Sequence, residues 1–448
     1  MILGFGKGKK DKHDDRGDHD DFDDQPEEEI EYALFQGAVN GQEANLVENA
    51  GLAQAGLVPV KELITDALHR RADILRLEPK GKAVVITFSV DGVWYPGGRL
   101  APKAALAIIQ MTKLLAGLET RERRKPQSGG IKAELAGTKY VLDVESTPVA
   151  GGAERLVVRA HDVNESFDTA ESVGFSADLK QKIRDLMMEK SGIVLACGPR
   201  HSGTSTTAMG VLRSIDSYMF ALYNIVEFPE ELSYVTTLER TAEEGLQESI
   251  ARLIRMEADG VFVDPIRDAQ AAMTVFESQS RIKIISEFTA RDCAHGIMQL
   301  HEWLAQPQLL ADGLKGLVSQ RLIRLLCDKC KEAFAPNPKL LAKIGLPPET
   351  KVLYRTPTMP TDPESGEEEE PEPCRKCDDV GYIGRAGLFE FIEITEGMQD
   401  IIRSGPSVPK IRAQAQKERM PSFQSEGLRL VAEGKTSLDE LKRIFKKA

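Results

Sequence analysis

No stretch of this chain is apolar over the roughly 18 to 20 residues that a bilayer-spanning helix needs. The longest candidates, such as Ile193 to Cys197, have the length of buried strands. Any membrane role is therefore expected to be peripheral. A secretory leader is not expected either: Met1 to Phe5 is apolar, but Lys7, Lys9 and Lys10 and then an acidic run follow, with no small-residue cleavage site. Basic excess is lacking too. The 448 residues carry a formal charge of -12 and no basic patch or stripe stands out, so the electrostatic footprint of a nucleic-acid binder is missing. Cysteine is scarce, with six in all, and four of them form two Cys-x-x-Cys pairs. In a chain without an export signal that spacing favours metal over disulfides.

What is present suits a folded protein of two or three domains: 448 residues, 41% of them hydrophobic. The negative charge is concentrated. Residues 1 to 31 carry 12 acids against 5 bases, and residues 361 to 372 carry 7 acids and no base, which leaves the remainder close to neutral. Such runs cannot offset the entropy of ordering, so both read as solvated disorder, with a docking tail for a basic surface as the other reading.

Residues 32 to 58 read as short helices with Gly-rich breaks. Pro59 opens a helix whose apolar positions Val60, Leu63, Ile64, Ala67 and Leu68 follow the helical period. Strand-like runs come next, Ala83 to Val90 closed by the turn pair Asp91-Gly92, then Lys139 to Val144 and Arg155 to Arg159, with a helix at Ala104 to Leu118 between them. Residues 59 to 160 are thus a small α+β domain, and 161 to 176 a polar linker. From 177 the pattern alternates helix and buried strand: helices at Lys180 to Lys190 and Ser205 to Ile215, strands at Ile193 to Cys197, Gly260 to Val263 and Ile282 to Ile285. That alternation predicts an α/β fold with a parallel sheet covered on both faces. Residues 335 to 372 read as a loop between the cysteine pairs, and residues 395 to 448 as helical, with Ser437 and Glu440 placed as a capping box.

Between the first buried strand and its helix lies Gly198-Pro199-Arg200-His201-Ser202-Gly203-Thr204-Ser205, followed by Thr206. It fits the phosphate-loop pattern G-x-x-x-x-G-K-[ST] except that the lysine is Thr204. In a working loop the backbone N–H groups and the helix N-terminus hold phosphate, the lysine bridges the β and γ phosphates, and the hydroxyl binds Mg²⁺. A neutral threonine cannot balance the γ-phosphate charge. ATP with Mg²⁺ is accordingly expected to bind weakly, with little transition-state stabilisation.

Read onward, residues 60 to 448 resemble the cytoplasmic motor ATPases of type II secretion and type IV pilus assembly. In the first domain the resemblance rests on Glu78-Pro79, Phe88, Asp91-Gly92, Arg123-Arg124 with Pro126-Gln127, and Ser146-Thr147. Later it rests on Gln320-Arg321-Leu322, Gly381-Tyr382, Gly384-Arg385, Gly427, Gly434 and Thr436. The resemblance implies a PAS-like first domain, a RecA-like ATPase domain with a four-cysteine zinc insertion over 327 to 377, and a hexamer working with platform proteins at the inner membrane. It also implies a cytoplasmic location, peripheral to that membrane.

Against the family's patterns, several positions differ. The acidic box I-E-D-P-x-E is Val226-Glu227-Phe228-Pro229-Glu230-Glu231, which keeps Glu227 and Glu231 but has Phe228 for the aspartate. The G-E-I-R-D of the Walker B segment is Asp264-Pro265-Ile266-Arg267-Asp268, where Pro265 replaces the water-polarising glutamate while Arg267 and Asp268 remain. In the histidine box, Ser286 to Asp292, the histidine is Thr289. Thr87 and Ser89 stand where the family has two nucleotide-facing arginines. The reading is a degenerate member, a pseudo-ATPase that is a homo-hexamer or an oligomer with an intact homologue. An active but slow motor and a zinc-binding adaptor are the alternatives. For the metal, Cys327, Cys330, Cys374 and Cys377 offer four thiolates in the spacing of a closed, structural zinc site, against four free thiols or a disulfide pair. Cys197 and Cys293 read as core residues.

Overall fold

A computed structural model describes residues 31–164, 173–200, 202–216, 218–226, 234–241, 243–358 and 374–446. The tail up to residue 30, His201, the acidic-box residues Glu227, Phe228 and Glu231, and the acidic run 361–372 lie outside the described residues.

Alternating apolar residues build the first sheet. Its strands are β1 (Leu34–Ala38), β2 (Ala72–Lys80), β3 (Ala83–Val90), β4 (Val93–Leu100), β5 (Gln127–Leu135), β6 (Thr138–Val149) and β7 (Ala153–Asp162). They pair antiparallel in the order β1-β5-β6-β7-β2-β3-β4. Asp91 and Gly92 both take positive φ (51° and 75°), the left-handed pair that a tight two-residue hairpin requires. Helices Ala50–His69 and Pro102–Leu115 share one core with this sheet, around Val60, Ile64, Ile108, Met111, Phe88 and Leu142. Within it Lys113 is wholly buried and ion-paired to Glu154 at 2.8 Å, and the Ser146 hydroxyl donates to the same carboxylate.

Two expectations fail in this region. Leu34–Ala38 is a strand, because it pairs with β5 and buries Ala38. The helix begins at Ala50 rather than Pro59, which sits inside it. Proline costs one ladder bond, yet Gly56 lets the helix approach Ala107 so closely that an added Cβ would lie 2.7 Å from its carbonyl oxygen. Close packing of the two helices outweighs the missing bond.

The second sheet runs β10 (Val235–Thr237), β9 (Leu222–Asn224), β11 (Gly260–Phe262), β12 (Lys283–Thr289), β8 (Gly192–Gly198), β13 (Leu314–Leu326) and β16 (Tyr382–Glu393). All neighbours are parallel except β13 and β16. Strand β8 shows why its sequence is continuously apolar: Ile193, Leu195 and Cys197 enter one core, and Val194 and Ala196 enter the core on the opposite face. The segment between the cysteine pairs is not all loop. Strands β14 (Glu332–Phe334) and β15 (Leu353–Arg355) pair, and helix Pro338–Ile344 lies between them, opened by the Asn337 side chain and closed by left-handed Gly345. The linker is not all polar either, since Val173 and Phe175 are buried and Phe175 meets Phe389 edge-on.

At the C-terminus, helix Leu438–Lys446 starts where Ser437 accepts from the Glu440 amide, but the Glu440 side chain does not complete the box. It turns instead to Arg324 and Arg443, at 2.8 and 2.6 Å. The two sheets also touch: Arg385 on β16 pairs with Asp73 at 2.8 Å, and the Gly384 amide donates to Asp91. Among the described residues no helix is long and apolar enough to cross a membrane.

Candidate functional site

The register of β8 and β12 assembles the first site. Thr289 lies opposite Gly198 and Glu287 opposite Ala196, so the end of β12 flanks the loop that leaves β8. That loop turns into helix Thr204–Leu212 through Gly203, whose φ of +86° favours glycine. The space behind Gly203 is filled by Gln320 of β13, whose Nε2 would lie 2.6 Å from an added Cβ. Gln320 is buried and its Oε1 has no hydrogen-bond partner. No side chain caps the helix.

Within the loop the Ser202 amide donates to the Pro199 carbonyl, and the Thr204 hydroxyl turns back to Ser202 Oγ at 3.2 Å. Arg200 is exposed and Thr206 half-buried on the helix. Ser205, the hydroxyl position of a phosphate loop, donates to Glu287 Oε1 at 2.7 Å. Burial pushes the Glu287 carboxyl above its ordinary range, against the opposing pull of the Ser205 bond and of Arg267. Its backbone is fixed, because Glu287 O accepts from the Ile266 amide.

The other candidates fall as follows. Asp264 is turned to Arg240 at 2.9 Å. Pro265 is half-buried, and Arg267 exposed beside Glu287. Asp268 caps helix Ala269–Glu277 by accepting from the Ala271 amide, a structural task. Thr289 is exposed at the strand end. Ser89 is buried within the first sheet, and Thr87 Oγ1 is buried there without a partner.

Glu287 and Gln320 gather at the loop without having been singled out for it. The signal for Glu287 was a carboxylate within a strand, two positions from its end. Gln320 was marked only within the motif Gln320-Arg321-Leu322, and its approach to the loop depends on β13 lying next to β8.

The second site closes the far end of β13. Cys327 follows that strand and its amide donates to the Gly381 carbonyl, while the Cys374 amide donates to the Asp379 carboxylate. Cys327 and Cys374 sulfurs are 3.9 Å apart, Cys330 and Cys377 3.6 Å, and all four lie within 4.8 Å of one another. A tetrahedral ion with Zn–S bonds of about 2.3 Å needs sulfurs about 3.8 Å apart, so the cluster fits zinc and leaves no open position. The Cys377 amide holds the Cys374 thiol down at about 7, whereas burial pushes Cys330 and Cys377 up. The cation of Lys376 bridges the two knuckles through Asp328 at 2.6 Å.

A parallel sheet whose strand β8 ends in a Gly-rich turn to a helix, with the flanking strand ends converging there, defines a phosphate-loop α/β protein. The chain belongs to the type II/IV secretion system protein family, whose model matches residues 54–443. It is 27% identical over 396 residues to the type IV pilus assembly ATPase PilB of Thermus thermophilus, covering 85% of this chain and 42% of that one. With the type IV pilus assembly ATPase TfpB of Acinetobacter baylyi it shares 28% over 386 residues, 84% of this chain and 63% of the relative. With the type II secretion system ATPase E of Vibrio cholerae it shares 27% over 395 residues, 87% and 75% of the two chains. The chain thus spans about half the length of the first two relatives. In fold it is similar to the ATPase DotB of Legionella pneumophila, with a TM-score of 0.54, 13% identity and coverage of 88% and 96%.

Proposed function

We propose that this protein is a subunit of a type II secretion or type IV pilus assembly machine in which the ATPase architecture is kept and ATP turnover is lost, so that it serves as a regulator or scaffold. It works as a homo-hexamer or beside an intact homologue, at the cytoplasmic face of the inner membrane with the platform proteins there. Its four cysteines hold a structural zinc.

The observation that carries this reading is Thr204. Where a working loop extends an ammonium over the β and γ phosphates, this side chain folds back onto Ser202, and the loop's arginine, Arg200, is exposed. Removing one preorganised charge contact costs about 10² to 10³ in rate, and Pro265 has no acceptor with which to orient water. The membership in a family of secretion and pilus proteins supports the machine. A steady-state phosphate-release assay tests the reading. The expected outcome is no turnover above background; substantial turnover by the wild type, abolished by Ser205→Ala, would falsify it.

A further inference from the structure

The Ser205–Glu287 bond has no place in the reading given so far. A phosphate loop is an anion seat: the first amides of the helix and its partial positive charge face the ligand, and a lysine adds a full charge. Here the lysine is absent and a carboxylate has entered. Glu287 reaches the second residue of helix Thr204–Leu212 and takes its hydroxyl at 2.7 Å. The carboxylate cannot drift away with its strand, because β12 is clamped on both sides: Glu287 is paired with Ala196 of β8, and its carbonyl accepts from Ile266 on the segment after β11. No side chain caps the helix, and this carboxylate, held by the hydroxyl of the helix's second residue, places a negative charge beside its N-terminus. Gln320 adds an acceptor oxygen, buried and without a partner, on the side chain packed against Gly203. Relative to a loop with its lysine, the seat has lost one positive charge and gained one negative charge.

We infer that Glu287 is the specificity-determining residue of this loop: bonded to Ser205 beside the helix N-terminus, it is a built-in anion that bars the polyphosphate of a nucleotide. The inference deepens the proposed function and rests on it, since it says what fills the seat of a subunit that does not turn ATP over. Ser205 thereby has its acceptor without a ligand.

The test is calorimetric titration of the full chain with metal-free tripolyphosphate and with MgATP, for wild type, Glu287→Gln and Glu287→Thr. Glutamine keeps the shape and an acceptor for Ser205 and removes only the charge. We expect Glu287→Gln to bind tripolyphosphate at least about 10-fold more tightly than wild type, equivalent to about 1.4 kcal/mol, with a smaller gain for MgATP because Mg²⁺ offsets part of the ligand's charge. Glu287→Thr is expected to gain similarly, and it reads the same charge if the glutamine variant folds poorly by thermal melting. Unchanged affinity in both variants would overturn the inference, as would weaker MgATP binding, which would make Glu287 a ligand of the metal. Phosphate release by the wild type is scored separately: turnover sinks the proposed function, whereas absence of turnover with no gain in the Glu287 variants sinks the inference alone.

Discussion

The phosphate loop and the cysteine cluster lie along the same strand, β13, and they are built to opposite standards. Gln320 touches Gly203, and seven residues later, about 23 Å of extended chain, Cys327 opens the cluster. At the cluster every ligand position is filled and the turns around it are hydrogen-bonded to the sulfurs and to one another. At the loop the backbone is intact, with its left-handed glycine and strand register, while the lysine position is a neutral threonine and the Ser205 hydroxyl is taken by a carboxylate. Backbone geometry is enforced by the cores on both faces of the sheet. Side chains at the open ends of its strands are under no such constraint, so chemistry there is free to change without unfolding the protein.

The largest expected effect breaks the comparison at its sturdier end. Purified protein should contain about one zinc per chain, and Cys327→Ser or Cys374→Ser should lose it. A loss of about 3 kcal/mol would lower Tm by roughly 6 to 12 °C in a domain of this size; metal analysis that finds no zinc in the wild type ends this prediction. Next in size is the support beside the cluster. Glu440 is buried, which alone would raise its pKa, yet Arg443 and Arg324 hold it from an ordinary 4.5 down to about 2. Because its folded value is depressed, the stability it contributes is complete above about pH 4.5 and is lost as pH falls toward about 2. Glu440→Gln leaves two arginines facing a neutral partner and should cost about 3 kcal/mol at neutral pH, while flattening the acid arm of the melting curve. An acid arm identical to that of the wild type would count against it.

At the loop, substitutions should change binding rather than folding. Thr204→Lys is expected to raise affinity for MgATP by at least about 10-fold, near 1.4 kcal/mol, without appreciable phosphate release, since no residue yet orients water. Adding Pro265→Glu should restore some hydrolysis, measured against each single variant. Equal turnover in the single and double variants would show that the two losses are unrelated. The smallest effect separates a cap from a catalytic acid: Asp268→Ala should cost about 1 kcal/mol in a denaturant melt through loss of the helix cap. A shift of the denaturation midpoint too small to resolve would show that the Ala271 contact carries nothing.

Much of this was legible in the sequence. The buried strand at Ile193 to Cys197 and the helix after it follow from apolar runs bounded by glycines, and the cysteine spacing already pointed to a metal. Local patterns misled where partners were remote. Leu34–Ala38 becomes a strand only because β5 lies beside it, and Glu440, placed to cap its own helix, is drawn off by Arg324 far back in the chain. Glu287 was hidden for the same reason: its meaning comes from Ser205, 82 residues earlier.

The antiparallel partnership of β13 and β16 bears on the order in which the chain folds. Its innermost pair, Leu326 and Tyr382, is separated by the whole inserted segment, and closing so long a loop must precede the first ladder bond. Cys327 and Cys374, 47 residues apart, stand at the mouth of that loop. An ion that gathered them would make that closure early and leave the strands a short distance to zip. β13 also flanks β8, the strand that carries the phosphate loop. A metal bound there would act in this sense as a template for assembly, and a chain refolded under chelation should reach the native register slowly.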